Sequence, residues 1–240
     1  MKNALAITQR ELLSLFCSPI GYIVIAGFWL VTGAMAVWSA AAFGPGKLAT
    51  LRDIFMWTPF VLTIIVPAMT MRSISEEYRS GTFETLRTAP VSDGQIVFGK
   101  YLATLAFYLI MIAGTLIYPI LMEVFGNPDW GEMAAVYIGL VLLGIMFTAF
   151  SMFASSLTRD QAVAWILGAM PLMLVVLLLF HLVQKVEGWL REALQQVNVM
   201  GHFAQFARGQ VRLDTVVFFL AAAALFLFLT VKVVESRRWR

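Results

Sequence analysis

Six stretches of this chain contain no Asp, Glu, Lys or Arg: residues 20–43, 54–71, 101–122, 133–157, 161–184 and 215–231. Each comes close to or exceeds the roughly 20 apolar residues that a helix needs to cross the hydrocarbon of a bilayer, allowing for tilt. The expected fold is therefore an all-α polytopic membrane protein with six transmembrane helices in one domain spanning residues 1–240. Composition agrees: 60% of the residues are hydrophobic, 13% are charged, and the mean hydropathy is +0.84. A soluble domain carries about 25% charged residues, and a disordered chain is poor in apolar ones.

The same counts exclude several functions. One cysteine, Cys17, cannot form an internal disulfide, and it cannot build a metal site with only His181 and His202. The net charge of +3 is spread thinly, so nucleic acid is not an expected partner. Gly44-Pro45-Gly46-Lys47 has the look of a phosphate loop but lacks its frame, because Ala41 and Leu48 replace the required Gly and Ser or Thr. It reads as a turn. No span holds an ionisable side chain of the kind ion-coupled carriers place at mid-membrane. No nucleophile–base–orienter set is legible, so the chain is not expected to be an enzyme.

Ahead of the first span, Leu5, Leu12, Leu13 and Phe16 share a helical face, with Lys2, Gln9 and Arg10 among the polar positions. This predicts an N-terminal amphipathic helix lying on the membrane and ended by Ser18-Pro19. The first apolar stretch is too long for the 7–15-residue core of a cleavable signal peptide. Pro59, Pro67, Pro119 and Pro171 predict kinks inside spans. Gly21, Gly27, Gly33 and Ala36 would allow close helix contact in a dimer.

Orientation follows from the basic residues. Alternate segments hold Lys2 and Arg10, then Arg72, Arg79, Arg87 and Lys100, then Arg159, then Lys232, Arg237, Arg238 and Arg240. The opposite segments hold Lys47, Arg52, Lys185, Arg191, Arg208 and Arg212. Eleven against six places both termini in the cytoplasm. The long outer loop, 185–213, repeats Val186, Trp189, Leu190, Ala193, Leu194 and Val197 at helical spacing, which predicts a helix packed on the outer ends of the spans.

The inner loop, 72–100, is the most informative segment. Gly81 permits a turn, Thr82 is placed to cap a short helix over 83–88 with Glu84 in its first turn, and Pro90 stops it. Ser92 and Gln95 form a capping-box pattern opening the next helix. A short helix between two such ends, with Phe83 and Leu86 as apolar anchors, suits the cleft of a cytoplasmic partner. A solvated loop is the other reading of these residues.

At this point the chain resembles the permease subunits of type 2 ATP-binding-cassette transporters, on Glu76, Glu77, Gly81, Thr82, Glu84, Leu86, Pro90, Val91, Ser92, Gly99 and Lys100. Its later part is similar to a narrower branch, the gliding-motility-like permeases that are also linked to multicopper-enzyme maturation. The residues concerned are His202, Phe203, Phe206, Arg208, Gly209 and Glu235-Ser236-Arg237-Arg238-Trp239-Arg240. The resemblance implies a subunit of an ATP-driven transporter, expected to export, in the bacterial cytoplasmic membrane. The segment around 76–88 would be a coupling helix received by a separate ATPase, present in two copies, which binds the ATP and Mg. A second permease copy or a related permease would complete the path, and some relatives work with a membrane-anchored extracytoplasmic subunit.

Glu76, Glu77 and Arg79 are then expected as polar docking contacts, with Phe83 and Leu86 packing into the cleft; for the acidic pair, a solvated helix end is the other reading. His202, Phe203, Phe206, Arg208 and Gly209 read either as an outer gate or partner contact, or as interfacial anchors. Arg237, Arg238, Trp239 and Arg240 are expected at lipid headgroups. Two other classes remain open: a non-transporting mechanical transmitter for an extracytoplasmic assembly, and a self-contained channel or secondary carrier.

Overall fold

The computed structural model describes residues 2–38, 51–81, 92–125 and 129–237. The expected turn at 44–47 lies outside them. So do the coupling helix with Thr82, Phe83, Glu84 and Leu86, and the tail residues Arg238, Trp239 and Arg240. The described residues form helices joined by short connections. Six are long and apolar enough to cross a membrane: Pro19–Trp38, Thr58–Ser80, Asp93–Val124, Trp130–Leu157, Gln161–Lys185 and Leu213–Ser236. The chain is a multi-pass, all-helical membrane protein.

In chain order the helices are α1 (Lys2–Cys17), α2 (Pro19–Trp38), α3 (Arg52–Phe55), α4 (Thr58–Thr70), α5 (Ser75–Ser80), α6 (Asp93–Ala113), α7 (Ile117–Phe125), α8 (Trp130–Leu157), α9 (Gln161–Lys185), α10 (Trp189–Gln196), α11 (Val199–Phe206) and α12 (Leu213–Ser236). At its centre α8 has 67% of its apolar window buried, against 17% for the lipid-facing α12. Glycines set the closest approaches to it. A Cβ on Gly144 would stand 1.9 Å from the Tyr108 ring of α6, and one on Gly139 would stand 2.7 Å from Phe206 of α11. Tyr108 is fully buried and donates its hydroxyl to the Leu140 carbonyl at 2.7 Å, so its polar end is satisfied.

Start signals are strong. Ser92 and Gln95 close a reciprocal capping box, so α6 begins well before its apolar run. Asp129 and Asp160 cap α8 and α9 through backbone N–H groups of the first turn. Exposed Trp38, Trp57, Trp130 and Trp189 gather at the end away from the inner loop, as expected of an interfacial aromatic belt.

The prolines act differently from one another. Pro59 lies in the first turn of α4, where its missing N–H costs nothing, so it starts a helix and does not kink one. Pro119 removes the donor that would reach the Thr115 carbonyl. The helix tightens into a 3₁₀ turn over Gly114–Leu116, and the Tyr137 hydroxyl donates to that carbonyl at 2.8 Å in place of the lost N–H. Trp29 of α2 packs on Gly114 and donates its indole N–H to Met111 O at 2.8 Å.

Two expectations need correction. The N-terminal helix is amphipathic, but only Leu5 and Leu13 of its expected apolar face point outward. Leu12 and Phe16 pack on the core, with the Phe16 ring 4.9 Å from Phe107, and the Thr8 hydroxyl donates to Gly99 O. The outer loop is helical but broken at Val197–Asn198, because Asn198 caps a second helix by accepting from the Gly201 N–H. The first piece, α10, buries none of its residues; the second, α11, packs into the bundle. Of the small residues of α2, Gly21 is already used within the chain, since a Cβ there would meet Leu15 O at 2.3 Å.

Candidate functional site

The site forms where the inner loop leaves and re-enters the bundle. After α4 the chain turns through residues 71–74 and is caught by one side chain of α8. The Ile74 and Ser75 N–H groups both donate to Ser155 Oγ, at 3.3 and 3.2 Å, and that hydroxyl donates to Met71 O at 3.1 Å. The Ser75 hydroxyl also donates to Met71 O. Helix α5 then runs one and a half turns and stops at Gly81, whose φ of 72° is the left-handed C-cap conformation glycine adopts most readily.

This anchoring aims Glu77 inward. Its Oε1 lies 2.9 Å from Lys100 Nζ, and the same ammonium lies 3.1 Å from Glu11 of α1. Arg10 closes the cluster, 2.9 Å from Glu11 and 3.6 Å from Glu77. Lys100 is only 2% exposed, and the Glu77 side chain 11%. Two cations and two carboxylates therefore balance at a point shared by α1, α5 and α6. Burial alone would push the Glu11 carboxyl up, but the adjacent Lys100 ammonium and Arg10 guanidinium more than offset it and hold the group below its usual value.

The remaining docking candidates divide by exposure. Glu76 and Arg79 face outward, and Gly81 stands at the exposed end of α5. Arg72 donates to Gln161 Oε1 at 3.1 Å and to Ser18 at 3.3 Å, tying the same turn to α9 and to the α1–α2 junction. Glu77 is not on the outward face with Glu76; it is the internal tie. Arg237 also departs from expectation. Its guanidinium lies 4.5 Å over the Tyr78 ring and donates to Leu157 O, a terminal carbonyl of α8 that no backbone N–H of that helix can reach. It fastens the end of α12 to α5 and α8.

The outer signature lies at the opposite end. His202, Phe203 and Phe206 are buried in the bundle, not at its lipid boundary, whereas Arg208 and Gly209 are exposed. His202 Nε2 stands 3.0 Å from the Gln196 carbonyl, which can only accept, and Nδ1 stands 3.2 Å from the Thr215 hydroxyl. The ring stacks on Phe218 at 4.5 Å. Gly209 turns the chain at φ 77° toward α12. These residues fasten α11 to α8 and α12. Among the described residues, no three His, Cys, Asp or Glu side chains gather as metal ligands would.

Sequence reasoning placed Lys100 among loop charges and passed over Glu11. A signal was present: the capping box at Ser92 puts Lys100 two turns inside a helix. Nothing in a single sequence names Glu11 and Glu77 as its partners.

Residues 51–231 match the family described as ABC-2 family transporter protein. Two curated relatives, each named "Probable multidrug ABC transporter permease YbhR", from Escherichia coli strain K12 and from Escherichia coli O157:H7, are 29% identical to this chain over 151 residues. The match covers 62% of this chain but 40% of either relative, so the chain corresponds to well under half of their length. With its six spans and a family match over most of its residues, the chain belongs to the ABC-2 family of transporter proteins.

Proposed function

We propose that this chain is the membrane-spanning permease subunit of an ATP-driven ABC exporter, moved by a separate cytoplasmic ATP-binding subunit that grips the loop between α5 and α6. Family membership supports a permease, and the name of the relatives supports transport of a drug-like or amphipathic molecule. The uncharged, aromatic-rich spans suit such cargo better than a hydrated ion.

The observation that carries the reading is the Glu77–Lys100–Glu11 cluster. Both flanks of the loop are tied by buried ion pairs to each other and to α1. A push on the loop then moves the second and third spans as one body and is not absorbed by slack backbone. Two ATPase copies, holding ATP and Mg, would close on nucleotide and bias the permease between two packed arrangements. Glu76 and Arg79 would make polar contacts beside the loop, with Thr82 capping, Glu84 in the first turn, and Phe83 and Leu86 in the cleft.

A second copy or a related permease completes the path. The excess of basic residues at the loop end supports a bacterial cytoplasmic membrane with both termini inside. The tail residues support the gliding-motility-like branch and its extracytoplasmic partner.

The test is co-purification of a cytoplasmic ATP-binding subunit with this chain. Phe83→Asp is expected to abolish recruitment while the permease still folds; recruitment at the unaltered level would overturn the docking role. ATP-independent transport by the purified chain alone would overturn the whole reading in favour of a self-contained carrier.

A further inference from the structure

Next to the ion cluster, a cavity of about 230 Å³ opens between α1, α2, α4 and α6. Its polar wall holds Glu11, Ser18, Arg72, Ser73, Glu76 and Lys100. Cations and carboxylates are equal in number on that wall. Ser73 is only 8% exposed, yet its hydroxyl has no hydrogen-bond partner. A buried hydroxyl without a partner is costly, and one that lines a cavity signals a polar ligand there. Arg72 spends only two of a guanidinium's five N–H donors on its hydrogen bonds to Gln161 and Ser18.

A second, almost wholly apolar crevice of about 320 Å³ lies between α2, α4 and α9, lined by Gly27, Ile64 and Trp165 among others. The two spaces share Val24 and Ala68, so they are neighbours along one groove. The polar space alone is smaller than the 300–1,000 Å³ of an ordinary ligand pocket. It suits a headgroup, and the crevice suits a chain.

We propose that this groove binds one phospholipid whose headgroup carries both a phosphate and a primary ammonium, as in phosphatidylethanolamine. The phosphate is taken by Arg72 with Ser18 and Ser73, the ammonium by Glu76 and Glu11, and an acyl chain runs over Gly27 toward Trp165. The balance of charge on the wall selects this chemistry. A net anionic headgroup would set an uncompensated charge against Glu11 and Glu76, and a trimethylated ammonium has no N–H to give them. The site lies in the described bundle and shares Glu76 with the proposed ATPase contact, so its test uses the chain alone, with no ATPase present.

The experiment is native mass spectrometry of the full chain released from micelles containing equal amounts of phosphatidylethanolamine, phosphatidylcholine and phosphatidylglycerol. The ethanolamine lipid is expected to be retained about tenfold over either competitor, the ratio expected from about one charge-assisted hydrogen bond. Arg72→Gln is expected to lower that retention about tenfold by the same reasoning. Gly27→Leu tests the chain half separately. A Cβ on Gly27 meets nothing within 4 Å, and Gly27 lines the crevice, so the added side chain is directed at the space proposed for the acyl chain. It is expected to lose the lipid while keeping the wild-type melting temperature. Equal retention of the three lipids, a preference for phosphatidylglycerol, or unchanged retention in either variant would each overturn the proposal.

Discussion

Removing the Lys100 ammonium is the sharpest perturbation this structure offers. In Lys100→Met the side chain keeps its length and apolar stem but leaves two carboxylates facing each other. At an effective dielectric of 20, contacts at 2.9 and 3.1 Å are each worth about 5–6 kcal/mol before desolvation. Burying an ammonium returns several kcal/mol of that, so the pair adds less to stability than the Coulomb figure implies. The cost of the single variant comes instead from what it strands. Glu11 keeps Arg10 at 2.9 Å, whereas Glu77 keeps only a 3.6 Å contact with the same guanidinium, and its second oxygen already lacks a partner.

A loss of about 3 kcal/mol follows, the lower end of the range for breaking a buried pair. Adding Glu77→Gln removes the stranded charge and is expected to recover about half of that loss. The assay is reversible denaturant unfolding of the purified protein in detergent, run as a double-mutant cycle over Lys100→Met, Glu77→Gln and both together. If the single variant costs less than about 1 kcal/mol, or if the two changes add without coupling, Lys100 does not hold the loop flanks together in the manner described.

Two further outcomes follow from separate parts of the bundle. Gly144→Ala places a Cβ 1.9 Å from a fully buried ring and is expected to cost about 1–3 kcal/mol by overpacking, whereas Gly27→Ala, with open space around it, stays within about 0.5 kcal/mol; equal unfolding midpoints for the two would refute the close α6–α8 contact. Because the folded-state value of Glu11 is depressed, its stabilising effect is complete above the ordinary carboxylate value of 4.5 and is lost as pH falls through the lower folded value. The melting temperature of the wild type should therefore exceed that of Glu11→Gln at pH 7, and the gap should close in acid; a gap that widens on acidification contradicts the pairing with Lys100 and Arg10.

Much of the architecture could be read from charge placement alone. A helix surrounded by lipid can hide almost no ionised group, so each charge-free run overlaps one of the six spans, with edges up to nine residues away. At two of those edges a local signal explains the shift. Helix α6 begins at Asp93 because its capping box sits ahead of the apolar stretch, and α8 begins at Trp130 because Asp129 caps it. The break at Gly114–Leu116 was foreshadowed by Pro119, but its repair by Tyr137 depends on a neighbour supplied by another span.

The site was legible only in outline. Glu76, Glu77 and Arg79 look alike in a string of polar residues, and the rotation of α5 alone decides that Glu77 turns inward. That rotation is set by Ser155, which lies far along the chain. Likewise His202, Phe203 and Phe206 carry no mark distinguishing a buried cluster from an interfacial one; their burial comes from Gly139 and Phe218, on two other helices.

The position of Lys100 also constrains how the protein is made. Glu11 and its neighbour Arg10 leave the ribosome early, whereas the buried ammonium that joins Glu11 to Glu77 belongs to the third crossing. Until that crossing has been inserted, the first helix lacks its partners Gly99, Lys100 and Phe107. Its docking is thus a late event in biogenesis, one that reports the correct placement of half the spans.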